Sequence, residues 1–474
     1  MSVLSSSHSS ALFFSLVLLT GCQNSEIVIQ NNEPFQVRRS LSFIDRSSDT
    51  LTQNDAVIVA TIFSSSQQLT RSHNQFVISV VPVKDEAGET LLYGINYEDG
   101  YVLVSATKLW YPILSVIEHG CFTGEPTGTG VDVLIEETKA CISAAKEDTS
   151  LSVNRSVWAP YENKVDIGLV STRSGFDNIV NDSLYNWSAL GWSVYTLAHQ
   201  PDNMPDDLYE EFCEAAYDEN GLDPLYDYWY YTFILEKNEQ SDVWRGPLLQ
   251  TTWGQDYPYT SIQNQSLGCV TIATGQIMRY YEYPEYSAIS FPYDWSEMPD
   301  HLADTSSPNY DLSLFLNYLR NELGVANGAT IDNAKSTLEG YGYACNKILH
   351  NANQVYSSLN AYRPVYMKGT DSSLSLAHAW VCDGYHTIDT HDRYRLMVFK
   401  YSGGSSPSYY DEERNETINN SVATYFHMNW GWSGDNNGYY LDQNITTSIY
   451  LNNNLTSYNP SYNRKDLLIT YPSL

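Results

Sequence analysis

The sequence TWGQDYPYT at residues 252–260, followed by LGCVTIATGQIMRYYEYP at residues 267–284, decides how this chain is interpreted. After Cys269, apolar residues recur at helical spacing until Pro284 stops the pattern, as helix-terminating prolines do. They are Val270, Ala273, Ile277 and Tyr281. The spacing therefore predicts a helix that begins at Cys269. The unpaired N–H groups and the positive end of the dipole at such a position stabilise a thiolate, the reactive form of cysteine.

Two interpretations of Cys269 follow from its position. The thiol is a plausible nucleophile, but free cysteines are among the most buried residues and most of them are inert packing groups. Residues elsewhere in the chain must decide whether Cys269 is a nucleophile or a packing group.

Length and composition bound the class of protein. A chain of 474 residues is too long for one ordinary core and predicts two or three domains. Its formal charge of -31 argues against nucleic acid or an anionic membrane surface as a partner. The seven cysteines lack zinc spacing and are too sparse for a disulfide framework, although one pair such as Cys121 with Cys141 could bridge.

The amino terminus predicts export. Residues 11–19, ALFFSLVLL, are apolar but too few to span a bilayer, and the sequence LTGC ends at Cys22. This end resembles a bacterial lipobox, which implies that residues 1–22 are a lipoprotein signal peptide and that Cys22 is diacylated. The segment before the apolar run has no Lys or Arg, which departs from the usual pattern. We expect a protein anchored to the outer membrane or cell surface by lipid alone.

The sequence of residues 23–235 predicts a polar tether followed by a small α+β domain. Strand patterns occupy 76–83, 90–97 and 100–106, and Asp99-Gly100 is a hairpin signal. Helical character is present at 131–146, 184–199 and 207–217. No residue pattern in this region indicates a catalytic or binding site.

The charged stretch EKNEQSDVWR at residues 236–245 lacks periodicity and predicts a linker, which we extend to residue 250. Beyond it, residues 251–474 predict a second, larger domain with helices first and strands afterwards. The helices are expected at 311–323 and 331–338, and the strands at 364–368, 377–383, 394–401, 424–430 and 439–441. This order, without βα alternation, indicates an α+β fold with an antiparallel sheet.

A cysteine nucleophile needs a base and usually a group that orients the base. His378 lies between two alanines at the start of an apolar strand, where the imidazole is accessible, although a core histidine satisfied by a carbonyl is the alternative. Asn429 could orient the imidazole without neutralising it. His386, Asp389 and His391 have no recognised ligand spacing, so no metal site is predicted.

Three further residues complete the candidate site. The Gln255 amide, with the backbone N–H of Cys269, would form an oxyanion hole for the charge that acyl transfer develops. Trp430 and Trp432 could shield the bond between Asn429 and His378 from water, although core packing is the commoner use of tryptophan.

Taken together, these motifs resemble the streptopain family of papain-like cysteine peptidases. The resemblance covers about residues 246–445 and depends on the order Gln255, Cys269, His378, Asn429 with their neighbouring residues. Residues 92–122 are similar to the propeptide domain of that family. The chain departs from the family in carrying a longer insertion between residues 384 and 424.

The resemblance implies a papain-like peptidase domain preceded by a propeptide that inhibits it until the linker is cut. Cys269 would be the nucleophile, His378 the general base and acid, Asn429 the orienter and Gln255 the oxyanion donor. Protein or peptide substrates and no metal or organic cofactor are expected. The alternatives are another acyl transfer or amidase reaction on the same residues, and a non-catalytic lipoprotein that binds or inhibits a peptidase.

Overall fold

The computed structural model describes most of the chain from residue 43 onward. The described residues are 43–66, 76–127, 130–163, 175–219, 229–262, 265–285, 293–303, 306–370, 377–401, 408–442, 447–451, 454–458 and 464–470. The expected signal peptide, the tether and the lipidation site Cys22 lie outside them.

The N-terminal unit is a four-stranded antiparallel sheet flanked by helices. Its elements are α1 (Gln53–Ser66), β1 (Ser79–Lys84), β2 (Thr90–Asn96), β3 (Tyr101–Ser105), β4 (Ile113–Ile117) and α2 (Gly130–Glu147). Gly100 turns β2 into β3 at φ +80°, and a Cβ there would lie 2.3 Å from the Ile117 carbonyl oxygen. The predicted strands and the Asp99-Gly100 hairpin are confirmed. Residues 43–163 lie within the region that the sequence resemblance predicts to be a propeptide, and because of that expectation we refer to them as the pro-domain.

The next elements are α3 (Gly175–Ala189), β5 (Ser193–Thr196), α4 (Asp206–Glu219) and β6 (Trp229–Arg245). Two predictions are wrong here. The expected helix at 184–199 ends at Ala189 and is followed by a strand. The expected linker at 236–245 is the second half of a strand, because its residues alternate across a sheet edge that the local sequence does not reveal.

The C-terminal region places helices before most of its strands. Its helices are α5 (Cys269–Tyr281), α6 (Tyr310–Glu322), α7 (Ile331–Gly340) and α8 (Ala352–Asn360). Its strands are β7 (Ala344–Leu349), β8 (Val365–Thr370), β9 (Ala377–Tyr401), β10 (Ser408–Asn429), β11 (Gly438–Leu441), β12 (Thr447–Leu451), β13 (Asn454–Tyr458) and β14 (Arg464–Thr470). Two of the predicted strands are parts of the single 25-residue strand β9.

A continuous antiparallel sheet runs through both parts of the chain. In the described residues its order is β1-β2-β3-β4-β11-β10-β9-β8-β14-β7. In addition, β6 pairs with β9, and β5 pairs with β6. The pro-domain enters this sheet where Ile117 on β4 pairs with Gly438 on β11. The mixed helix and antiparallel-sheet fold expected from the sequence is therefore present.

Strand β9 has two different neighbours along one edge. Its first residues, 377–382, pair with β8, and residues 385–401 pair with β6. The peptide chain after β6 is held at the junction, since the Leu248 N–H donates to the Asp383 carbonyl at 2.8 Å and the Leu249 N–H donates to Asp383 Oδ2 at 3.0 Å. Asp383 thus anchors the segment that leads into the nucleophile region.

The described residues also bear on a suggested disulfide, on metal binding and on membrane spanning. Cys141 on α2 is buried as a thiol and not as half of a disulfide, so the suggested bridge from Cys121 to Cys141 is not formed. No cluster of potential metal ligands occurs among the described residues. None of the helices in the described part of the chain is both long enough and apolar enough to cross a bilayer.

Candidate active site

Cys269 is the first residue of α5, as the sequence predicts. Gly268 precedes it at φ +82°, and a Cβ on Gly268 would lie 2.9 Å from Cγ1 of Val325. Only glycine therefore fits this turn without strain. The rest of α5 from Val270 to Met278 is buried, so the helix holds the thiol at the edge of a rigid core.

His378 lies on β9, directly before a residue that contacts this thiol. The backbone N–H of Ala379, the next residue, interacts with the Cys269 thiol, as do the N–H groups of Val270 and Cys269 itself. The His378 imidazole is nearly buried, and its Nε2 lies 3.1 Å from the carbonyl oxygen of Trp430. Because a carbonyl can only accept, Nε2 carries the proton and Nδ1 is left as the basic nitrogen.

The Asn429 side chain makes different contacts from those predicted. Its Nδ2 donates to the Thr251 carbonyl at 2.7 Å, and its Oδ1 accepts from Gln276 Nε2 at 3.1 Å and from the Gly431 N–H at 3.3 Å. The contact to His378 is instead made by the backbone of the following residue, Trp430. The predicted role of Asn429 as the side-chain orienter is therefore corrected. Asn429 fixes the backbone turn that presents this carbonyl.

The two tryptophans lie against the imidazole. The ring centroid of Trp432 is 4.6 Å from that of His378, and that of Trp430 is 6.0 Å away. The two indoles are nearly parallel at 5.8 Å, and Trp430 is fully buried. They enclose the imidazole and its bond to the Trp430 carbonyl, which replaces the bond to Asn429 that the sequence led us to expect.

Gln255 lies close to the nucleophile along the backbone. Its carbonyl oxygen accepts from the Leu267 N–H at 2.7 Å, two residues before Cys269, and its side chain is partly exposed. The turn that carries Gln255 is fixed by the neighbouring Trp253, whose N–H donates to Gln276 Oε1 at 3.1 Å. The structure thus brings the segments of all four predicted site residues together.

Burial controls the protonation of the site. Burial raises the pKa of the Cys269 thiol, and the N–H groups at Ala379, Val270 and Cys269 and the charge of Lys368 only partly oppose it. Burial likewise lowers the pKa of His378 to about 4. At neutral pH both groups are therefore uncharged in this state. The predicted stabilisation of a thiolate at the helix N-terminus is present but is outweighed by desolvation.

Two polar residues close to the site, Gln276 and Lys368, were not predicted from the sequence. Gln276 is completely buried on α5 and connects the turns of Trp253 and Asn429. A polar residue on an apolar helix face is the signal that could have indicated it. Lys368 on β8 donates to the Ala329 carbonyl at 3.1 Å, and its charge acts on both Cys269 and His378. Nothing in the local sequence of Lys368 distinguishes it from an ordinary surface lysine.

His386, Asp389 and His391 all lie on strand β9. His386 stacks on Trp244 with 3.5 Å between ring centroids, and His391 lies 3.4 Å from Asp389. In an extended strand, neighbouring residues point to opposite faces, so the three side chains do not converge on one ion.

The first residues of α5 and β9 thus bring a thiol and an imidazole into the same part of an α+β fold. Residues 253–440 match the Peptidase C10 family. The chain is also similar to "Thiol protease/hemagglutinin PrtT" of Porphyromonas gingivalis, with 25% identity over 254 residues that cover 44% of this chain. The chain spans only 24% of that relative's length. A solved fragment of prointerpain A from Prevotella intermedia aligns with 16% identity and a TM-score of 0.41, over 82% of this chain and 98% of the fragment.

Proposed function

We propose that this chain is a cysteine endopeptidase that is made as an autoinhibited zymogen and exported as a lipoprotein. The observation that carries the proposal is the position of the Cys269 thiol beside the Ala379 N–H, one residue from His378, within the segment that matches the Peptidase C10 family. The similarity to a thiol protease favours peptide hydrolysis over other acyl transfers.

The chemistry follows from the donors and acceptors of the site. The Cys269 proton passes to Nδ1 of His378, and the sulfur attacks the peptide carbonyl carbon. The Cys269 N–H and the Gln255 amide donate to the oxygen as it becomes negative. The imidazolium then protonates the leaving amine, which leaves a thioester on Cys269. Water, deprotonated by the same imidazole, releases the carboxylic acid and restores the thiol.

Contacts of the pro-domain support inhibition through the turn at residues 430–437. The Tyr101 hydroxyl donates to Asn436 Oδ1 at 3.0 Å, and the Asn436 N–H donates to the His119 carbonyl at 3.1 Å. Asn437 Oδ1 in turn accepts from the Trp430 N–H at 3.0 Å. The pro-domain thus holds the turn whose carbonyl orients His378. Loss of these bonds would free the turn and hydrate the site, so that a thiolate and imidazolium pair becomes accessible.

The activation cut is proposed within residues 246–250. Strand β6 ends at Arg245, and the following residues Gly246, Pro247 and Gln250 are exposed. Every residue of β6 pairs with β9, whereas in the described structure residues 246–250 are held only at Leu248 and Leu249, whose bonds to Asp383 must open before the chain is cut. Sequencing of the amino terminus of the mature domain checks this position.

The proposal is tested with protein that lacks residues 1–22. Wild type, Cys269→Ala and Cys213→Ala are incubated under reducing conditions, and intact mass, casein cleavage and labelling by an epoxide directed at papain-like thiols are followed. Cys213 is a partly exposed free thiol on α4 and serves as the matched control. We expect cleavage and labelling in wild type and Cys213→Ala only. Cross-linking of amines without protein cleavage would establish a different acyl transfer, and equal behaviour of all three proteins would refute catalysis by Cys269.

The anchor is a separate part of the proposal. Lipid attachment at Cys22 predicts incorporation of radiolabelled palmitate in a bacterial expression host and its loss in Cys22→Ser. Incorporation into both proteins, or into neither, would remove the lipoprotein assignment without affecting the peptidase proposal.

A further inference from the structure

The outer half of strand β9 depends on a segment that precedes the proposed activation cut. All 17 residues of β6 pair with β9, from Trp229 opposite Tyr401 to Arg245 opposite Tyr385. Strand β8 covers the same edge of β9 only as far as Cys382. Removal of β6 would therefore leave a long row of unpaired backbone groups on residues 385–401.

Between Tyr394 and Phe399, strand β9 packs against apolar side chains on both of its faces. On one face, Leu396 and Val398 pack with Ile234 of β6 beneath helix α4. On the other face, Met397 and Phe399 pack with Phe233 and Leu235 beneath helix α3. Both helices precede residue 246. The residues of β9 from Tyr394 to Phe399 are therefore covered on both faces by helices that precede the proposed cut, and we call residues 175–245 the lobe segment.

Buried polar contacts also cross this junction. The Tyr394 hydroxyl donates to Glu236 Oε1 at 3.4 Å. The Asn238 amide donates to Asp392 Oδ1 at 2.9 Å. Tyr394 and Asp392 belong to β9. Separation of the lobe segment would leave these groups without their partners in an apolar environment, which is costly.

We propose that the lobe segment stays bound to residues 246–474 after the activation cut, so that the active enzyme consists of two chains. The proposal rests on the proposed function only for the existence of the cut. It implies that cutting within residues 246–250 does not by itself release the pro-domain, which remains covalently joined to the lobe segment until the chain is also cut before Gly175. The insertion between residues 384 and 424 is then a docking surface for the retained segment.

The test uses the full chain with Cys269→Ala, so that no catalytic activity is needed. Recognition sequences for a site-specific endopeptidase are inserted directly before Gly175 and between Arg245 and Gly246. After complete cutting, the products are separated by size-exclusion chromatography in native buffer, and each peak is identified by intact mass. We expect residues 175–245 in every peak that contains residues 246–474. A peak with residues 246–474 but without 175–245 overturns the proposal.

Matched variants on β6 identify what holds the segment. Ile234→Asp places a charge in the packed face beneath α4, whereas Val243→Asp changes a side chain on the same strand that is 53% exposed. In a urea series of the same chromatography, Ile234→Asp should lower the urea concentration at which the fragments separate, and Val243→Asp should not. Equal behaviour of the two variants would assign the retention to the pro-domain and would also overturn the proposal.

This outcome is independent of the peptidase proposal. If the cut wild-type protein stays together but cleaves no substrate, the two-chain architecture holds and the proposed function fails. If the cut protein falls apart and residues 246–474 alone cleave casein, the function holds and the retention fails.

Discussion

The buried pair of His427 and Asp383 gives the sharpest quantitative prediction. His427 Nδ1 lies 2.6 Å from Asp383 Oδ1, and both side chains are buried at the junction that anchors Leu249. Burial alone would lower the pKa of His427, but the charge and hydrogen bond of Asp383, together with Glu118, raise it to about 10. We predict that His427→Gln destabilises the fold, because it leaves the Asp383 carboxylate buried without a counter-charge.

The magnitude can be worked in two ways. A rise in the pKa of His427 from its ordinary value of 6.5 to about 10 corresponds to roughly 5 kcal/mol at about 1.4 kcal/mol per pH unit. Removal of one partner of a buried ion pair typically costs about 3–5 kcal/mol. We therefore expect His427→Gln to lower the free energy of unfolding by about 3–5 kcal/mol at pH 7.

The pH dependence has a definite sign. A raised pKa in the folded state contributes stability that is fully present below the unfolded value of 6.5 and is lost as the pH rises through about 10. The difference between wild type and His427→Gln should therefore be largest at about pH 6 and should shrink steadily as the pH rises from 6.5 to about 10.

The assay is urea unfolding followed by tryptophan fluorescence, in a Cys269→Ala background from pH 6 to 10. His119→Gln is the matched control, because His119 is also 2.6 Å from a carboxylate, that of Asp99, but both side chains are more than half exposed. It should change the stability very little. The double variant Asp383→Asn/His427→Gln should recover part of the loss. A cost below about 1 kcal/mol at pH 7, or a cost that does not shrink with rising pH, would refute a charged buried pair.

Three further predictions concern the site itself. Lys368→Met should move the pH midpoint of iodoacetamide alkylation of Cys269 upward, since the lysine charge lowers the pKa of that thiol; an unchanged midpoint would contradict this. Gly268→Ala should destabilise the fold by about 1–2 kcal/mol, because φ is +82° and Val325 blocks the Cβ, and thermal unfolding measures the loss. Asn429→Ala should lower stability and kcat but leave the acidic limit of the kcat/KM profile in place, because the Trp430 backbone bonds to His378; a displaced limit would indicate a direct contact.

The segments that carry the candidate catalytic residues could be predicted from the sequence alone. Helical spacing and a terminating proline located α5 and its first residue, Cys269, because an amphipathic period is a local property of the chain. Strand patterns located β1 to β3, β8, β11 and parts of β9 and β10 for the same reason, but they did not locate β7, β12, β13 or β14. The order of motifs also led to the family that residues 253–440 match.

The tertiary structure decided which groups meet. The imidazole of His378 bonds to the carbonyl of Trp430 and not to the amide of Asn429, and a backbone carbonyl has no signature in a sequence. The charged residues of 236–245 form a strand because β9 offers an open edge about 150 residues later, a pairing that local propensity cannot anticipate.

Burial was equally beyond the sequence. The helix N-terminus correctly suggested donors to the thiol, but the extent to which the surrounding core removes water decides that Cys269 and His378 are both uncharged in this state. Residue type and spacing fix which groups can react, whereas desolvation depends on every neighbour that the fold brings near. For that reason the candidate nucleophile and base could be predicted from the sequence, and their protonation and orientation could not.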